Sequence, residues 1–89
     1  MSITLSIDES VLDNKKKKIT TKVSGTTVGE CLNCFVKVQA HLAQAIFDKN
    51  GRLNSGNLVK VNSKYISTNP LTKPVKDGDQ IEIFKFTGE

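Results

Sequence analysis

The sequence predicts an α+β fold in which one main helix packs across one face of a mixed sheet of four to five strands. Apolar and polar residues alternate over residues 2–7 and again over 18–23, which predicts two strands. Apolar residues recur at intervals of three and four over residues 28–42, which predicts an amphipathic helix. Alternation returns over residues 80–86 as a last strand. A chain of 89 residues has room for one domain, residues 1–89.

The composition limits the class of protein. Hydrophobic residues make up 37% of the chain and charged residues 25%, which is typical of a folded globular chain. No apolar run approaches the roughly 18 residues that a membrane span needs. Residues 1–20 contain Asp8, Glu9 and Asp13 and lack the pattern of a signal peptide. We therefore expect a cytoplasmic protein that does not contact a membrane.

The net charge of the chain is +4, and one run of four lysines, Lys15 to Lys18, carries a charge of the same size. Arg52 is the only arginine, whereas bidentate recognition of bases and phosphates depends on arginine. Short blocks of like charge usually lie in solvated loops. We therefore favour a solvated loop over a functional patch for this run, and a nucleic-acid partner is not expected.

Cys31 and Cys34 form a single C-x-x-C motif. A zinc site would need two more ligands, and the lone histidine, His41, has no partner at a suitable spacing. A redox pair would lie at a helix start with an exposed nucleophilic thiol. Both cysteines instead fall within the helical apolar pattern, so core packing is favoured over the redox and metal alternatives. We expect no metal and no cofactor.

The first two strands suggest an antiparallel hairpin. Residues 8–17 between them are polar and would form a long, basic tip. The positions expected to share one face of the hairpin are Ile3, Leu5, Ile7, Ile19, Thr21 and Val23.

The main helix has a start signal at Thr27 and Glu30, which are spaced as a capping box. Residues 40–47 would either continue this helix or form a separate turn. The apolar side of the helix is expected to carry Val28, Cys31, Leu32, Phe35, Val38 and Leu42.

Turn signals divide the second half of the chain. Residues 48–51 and 77–79 contain the Asn, Asp and Gly residues that turns favour. Between them we predict a strand at 58–61, a short return strand at 65–66 and a loop at 67–74. An order of hairpin, helix, loop, strands and final strand is the outline of a β-grasp roll, and its crossover should be right-handed.

Three segments carry a family resemblance: residues 27–32 at the helix start, the D-x-x-G-x-L of residues 46–53, and residues 59–62 together with 71–83. In their order and spacing they resemble the MoaD/ThiS family of ubiquitin-like sulfur carriers. The last segment also resembles part of other β-grasp domains, including TGS domains.

The resemblance implies a non-enzymatic carrier. An ATP-dependent activating enzyme would adenylate its C-terminal glycine, and the resulting thiocarboxylate would serve a sulfur-accepting synthase subunit in molybdopterin, thiazole or similar biosynthesis. The family ends in Gly-Gly, whereas this chain ends Thr87-Gly88-Glu89. Removal of Glu89, a natural end that differs from this one, or a relative that kept the fold only for binding would each explain the difference.

The last strand predicts a partner interface. If the helix covers Ile81 and Ile83, then Phe84 and Phe86 lie on the open face near the tail, where exposed aromatic residues suggest docking. We expect Phe84, Phe86 and Val59 to contact a partner. The alternative is that a bulge or the loop at 64–75 covers one or both rings.

Two other functions remain as alternatives. A TGS-like protein- or RNA-binding module would use the lysine run together with Tyr65, Phe84 and Phe86. A redox function would use the two cysteines and is the least favoured.

Overall fold

A computed structural model describes residues 2–8, 18–54 and 56–85 of the chain. Short 3₁₀ turns lie at Ala40–Leu42 and Pro70–Thr72. The strands and α-helices are β1 (Ile3–Ile7), β2 (Ile19–Val23), α1 (Val28–Val38), α2 (Ala43–Ile46), β3 (Asn57–Val61), β4 (Lys64–Ile66) and β5 (Gln80–Lys85).

The strands form one mixed sheet in the order β2-β1-β5-β3-β4. The central strands β1 and β5 are parallel, and the other neighbouring pairs are antiparallel. Helix α1 lies between β2 and β3 in the sequence and packs its apolar side on one face of the sheet. The predicted fold class, an α+β β-grasp arrangement with one main helix, is confirmed.

The predicted hairpin is present. Its register pairs Ile3 with Val23 and Ile7 with Ile19, so the apolar residues of both strands share the face that meets α1. Lys18 precedes β2 and is exposed. Residues 9–17, which include the rest of the lysine run, lie outside the described residues.

Helix α1 begins at a capping box that differs in one bond from the predicted one. Thr27 Oγ1 accepts a hydrogen bond from Glu30 N at 3.2 Å, as predicted. The Glu30 carboxylate accepts from Thr26 N at 2.7 Å and from Thr26 Oγ1 at 2.8 Å, one residue before the cap. These bonds favour the charged carboxylate and hold the pKa of Glu30 below its usual value.

The apolar stripe of α1 is shorter than predicted. Val28, Cys31, Leu32 and Phe35 are buried, but Val38 is 79% exposed, so its assignment to the buried side is wrong. The reason is that the helix ends at Val38 and Gln39 leaves helical geometry, with φ −114° and ψ 62°. Residues 40–46 form a separate 3₁₀ turn followed by the short helix α2.

The core lies between α1 and the sheet. Asn57, at the start of β3, donates from Nδ2 to Ala45 O at 3.0 Å and to Ile46 O at 3.3 Å, which fixes α2 against the sheet. The buried apolar residues are Ile3, Leu5, Ile7, Val23, Val28, Cys31, Leu32, Phe35, Leu42, Ile46, Val59, Val61, Val75, Ile81 and Ile83.

A hydrogen-bonded link joins the turn between β3 and β4 to the turn before β5. Asn62 Nδ2 donates to Asp79 Oδ1 at 3.0 Å, and Asn62 Oδ1 accepts from Gln80 N at 2.9 Å. Asp79 Oδ2 accepts from Lys76 N at 2.9 Å. The predicted turn at residues 77–79 is thus confirmed, with Gly78 at a φ of +90° that favours glycine.

The C-x-x-C motif belongs to the core side of α1. Cys31 has no exposed surface, and Cys34 is half-buried against the core. Burial, followed by the negative charge that Cys34 and Glu30 can carry, raises the pKa of the Cys31 thiol. A raised pKa disfavours the reactive thiolate, so the prediction of core packing is confirmed for Cys31.

We predict that Asp79→Asn lowers stability at pH 7, because the amide cannot accept both of the hydrogen bonds made by the carboxylate. The bonds from Asn62 and Lys76 hold the pKa of Asp79 below its usual value. A lowered pKa adds stability that is complete above the unfolded-state pKa of about 3.9 and is lost as the pH falls through the folded-state pKa. Urea unfolding should therefore show a deficit at pH 7 that shrinks below about pH 4.

Glu82→Gln is the matched control, since no hydrogen bond joins the Glu82 carboxylate to another described residue. It should change the free energy of unfolding by less than about 0.5 kcal/mol. Equal stability of Asp79→Asn and the wild type at pH 7 would show that the link contributes nothing.

We also predict that iodoacetamide modifies Cys34 in the folded protein while Cys31 reacts roughly a hundredfold slower than in urea, because the core must open to expose it. Mass spectrometry of proteolytic peptides measures both rates, and Cys34→Ser isolates the reaction of Cys31. Comparable rates at Cys31 with and without urea would contradict its burial.

Candidate functional site

The two faces of β5 differ in chemistry. Ile81 and Ile83 point to α1 and are 1% and 0% exposed, whereas Glu82 and Phe84 lie on the opposite, open face and are half-buried. The alternation along β5 produces this division, because successive side chains of a strand point to opposite faces. The predicted placement of Phe84 on the open face is confirmed, and Phe86 lies outside the described residues.

Phe84 belongs to a cluster that we call the open-face patch, formed by Leu58, Lys60, Tyr65 and Phe84. The register places Leu58 opposite Phe84 and Lys60 opposite Tyr65, so three strands bring the four side chains to one face. Tyr65 is 53% exposed, and the other three are half-buried. The patch is therefore accessible on the sheet face that α1 leaves uncovered.

The contacts within the open-face patch centre on the Phe84 ring. Its centroid lies 5.8 Å from that of Tyr65, with the ring planes at 47°. Lys60 Nζ lies 5.1 Å from the Phe84 centroid, within the range of a cation–π contact. An aromatic surface with a positive charge at its edge can bind a partner's apolar side chains together with a carboxylate.

The alternative that Phe84 is covered is correct in part. β5 pairs with β3 without interruption from Ile81 to Lys85, so no bulge moves the ring. Tyr65, from the segment at 64–75, does contact the ring. This contact fixes the ring's position and leaves it half-buried.

The prediction that Val59 contacts a partner is wrong. Val59 is 0% exposed and lies opposite Ile83 on the core side of the sheet. Its neighbours Leu58 and Lys60 occupy the open face instead, and the sequence interpretation missed both. The alternation in β3 was the available signal, since Val59 and Val61 could not be inward without turning Leu58 and Lys60 outward.

The open-face patch adjoins the end of the chain. β5 ends at Lys85, directly after Phe84. Phe86, which was predicted to contact a partner, and the predicted tail residues Thr87, Gly88 and Glu89 follow in the sequence and lie outside the described residues. Any partner that binds the patch would thus meet the strand from which the tail continues.

Within residues 2–8, 18–54 and 56–85, no three His, Cys, Asp or Glu side chains are grouped so that they could hold a metal ion. No helix in the described ranges is long and apolar enough to cross a membrane.

Comparison with solved structures shows the same fold in other proteins. SAMP1 from Haloferax volcanii is 21% identical with a TM-score of 0.75, and the match covers 100% of each chain. A chain of the BexX/CysO complex from Amycolatopsis orientalis is 25% identical with a TM-score of 0.75 over 98% of each chain. A chain of the complex of subunits 1 and 2 of the molybdopterin-converting factor from Helicobacter pylori is 16% identical, with a TM-score of 0.57 over 100% of this chain and 99% of that one.

A search of curated proteins gave no match. The family comparison did: the ThiS family matches residues 14–88, which is most of the chain. The matched range includes α1, the open-face patch and the turn before β5. The chain therefore belongs to the ThiS family.

Proposed function

We propose that the protein is a sulfur carrier whose C-terminal carboxylate is activated and thiolated by partner enzymes. The observation that carries this proposal is the match to the ThiS family over residues 14–88. The open-face patch on the last strand supports it, since it is an accessible surface on which we propose that partners dock. In this role the chain supplies a carboxylate and the partners supply catalysis.

The proposed chemistry takes place at the tail. A carboxylate oxygen attacks the α-phosphorus of ATP, pyrophosphate leaves, and an acyl-adenylate forms. A sulfur nucleophile at the oxidation level of hydrosulfide, delivered by the partner, then displaces AMP and leaves a thiocarboxylate. Gly88 is the proposed acceptor after removal of Glu89, because a residue without Cβ can pass through a narrow channel. ATP-dependent activation would place this reaction in the cytoplasm.

The open-face patch is the proposed docking site for the activating enzyme and for a sulfur-accepting synthase subunit. Two structurally similar chains come from complexes, one named for BexX and CysO and one for subunits 1 and 2 of the molybdopterin-converting factor. Docking through Phe84 would hold the start of the tail in place. The C-terminal carboxylate would then have fewer positions to sample before it reaches the partner's active site.

A second candidate function is a β-grasp binding module that lacks carrier activity. The exposed aromatic surface of the open-face patch favours it, because such a surface can bind a partner without any reaction at the tail. Such a module would use the same open-face patch to bind protein or RNA, with Tyr65 and Phe84 as the exposed aromatic residues.

We predict that a form ending at Gly88 gains the mass of an adenylate when incubated with a ThiS-type activating enzyme and ATP. With a sulfur donor added, it should instead gain the mass difference between a carboxylate and a thiocarboxylate. Intact-mass spectrometry measures both products, and omission of ATP is the control.

The full chain ending at Glu89 is the matched comparison. We expect it to react at least about tenfold more slowly, since its terminal residue adds bulk and charge at the activating site. Absence of reaction in both forms, with an enzyme that activates its own carrier, would reject the carrier function and favour the binding module.

We further predict that Phe84→Ala weakens binding to the activating enzyme by about tenfold or more, since aromatic residues at the centre of an interface often contribute more than about 1.4 kcal/mol. Thr20→Ala is the control: Thr20 lies on β2 at the far edge of the same face, and its loss should change affinity by less than about twofold.

Calorimetry measures both affinities, and circular dichroism checks that both variants are folded. An equal affinity of Phe84→Ala and the wild type would place the docking site elsewhere on the molecule.

A further inference from the structure

A second surface lies at the edge of the sheet, away from the open-face patch. It is a groove of about 570 Å³ between β4 and residues 73–76. Its apolar part includes Val61, Ile66 and Val75, and its rim carries Lys64, Lys73 and Lys76. We call it the basic groove. Lys64 and Ile66 flank Tyr65 on β4, so the groove and the patch lie on opposite sides of that strand.

The charge of the basic groove is positive. The lysines Lys64, Lys73 and Lys76 are all exposed. The positive charges of Lys73 and Lys76 also help to lower the pKa of Asp79, after its hydrogen bonds from Asn62 and Lys76 N. The one acidic residue lining the groove, Asp79, accepts hydrogen bonds from Asn62 Nδ2 and Lys76 N. Nearby Asp77 accepts a hydrogen bond from Ser2 N. Both carboxylates thus have hydrogen-bond partners, and the three ammonium groups of the lining outnumber its one carboxylate, so an acidic ligand would meet a net positive surface.

One wall of the basic groove is β4, which lies at the edge of the sheet and has one neighbouring strand. β4 pairs with β3, and its three residues make no other backbone hydrogen bond to any residue that the structure describes. The outer backbone groups of an edge strand can pair with an added peptide strand.

The opposite wall of the groove is held in place. Lys73 O accepts from Val28 N at 3.0 Å, and Val75 N donates to Thr26 O at 2.9 Å. These bonds tie residues 73–75 to the start of α1, so the groove is already formed without a ligand. A preformed site loses less conformational entropy on binding.

We propose that the basic groove binds an extended acidic peptide as an additional strand beside β4. Side chains at alternate positions of such a strand point to the same face, about 7 Å apart. Acidic side chains at two of these positions would meet the lysine rim, and an apolar side chain between them would cover Val61, Ile66 and Val75. This proposal concerns a surface separate from the open-face patch and does not depend on carrier activity.

A synthetic peptide of about seven residues is the probe, with glutamate, valine and glutamate at alternate positions and threonine elsewhere. We expect its titration into ¹⁵N-labelled protein to shift the backbone amides of residues 64–66 and 73–76 and to leave those of β2 unchanged. Affinity should fall about tenfold or more in Lys73→Glu/Lys76→Glu, because two attractions become repulsions.

Lys37→Glu/Lys49→Glu is the matched control. Both of its sites are exposed and lie outside the groove, and it changes the net charge of the chain by the same amount. It should bind the peptide within about twofold of the wild type, with the dispersed amide spectrum of a folded protein.

Three results would overturn the proposal. An equal loss in both double variants would mean that net charge alone attracts the peptide. Unchanged binding of a peptide whose backbone amides are methylated would exclude strand addition, and this measurement uses the wild-type protein. Tighter binding of an RNA oligonucleotide of equal charge at the same amides would make the groove a nucleic-acid site.

Discussion

The fold depends on the hydrogen-bonded link between Asn62 and Asp79. The side chain of Asn62 bonds to the Asp79 carboxylate and to Gln80 N, and the backbone of Asn62 donates to Gln80 O at 2.8 Å. On the other side of β5, Thr4 N donates to Asp79 O at 3.1 Å. The link thus sets the point at which β5 enters the sheet between β1 and β3. A shift of one residue would turn Phe84 into the core and Ile83 to the open face.

Both proposed surfaces follow from that register. The open-face patch exists because β5 presents Phe84 where β3 and β4 present Lys60 and Tyr65. The basic groove exists because the turn before β5 carries Lys76 back towards the edge of β4. The two surfaces lie on opposite sides of β4, so one partner could hold the protein near its tail while an acidic segment occupies the groove.

Alternation and helical spacing were enough to predict most of the elements, because α1 and the longer strands each carry their own apolar pattern. The sequence predictions were wrong at positions whose structure depends on contacts between distant parts of the chain. Val38 continues the helical spacing, yet the chain turns at Gln39 and leaves Val38 exposed. Glu30 bonds to Thr26 rather than to the amide of the cap residue, which its spacing alone does not distinguish. In the site, the position of Phe84 was predictable, but Lys60 joins it through a strand register that the sequence does not display.

In the proposed function, the C-terminal carboxylate is the reactive group of this protein. The most direct measurement is the mass of the C-terminal peptide from protein isolated from its native cells without reducing agents. If the protein is a sulfur carrier, we expect a fraction that ends at Gly88 and carries a thiocarboxylate. A single species that ends at Glu89 with an unmodified carboxylate, in cells that are actively using the pathway, would contradict it.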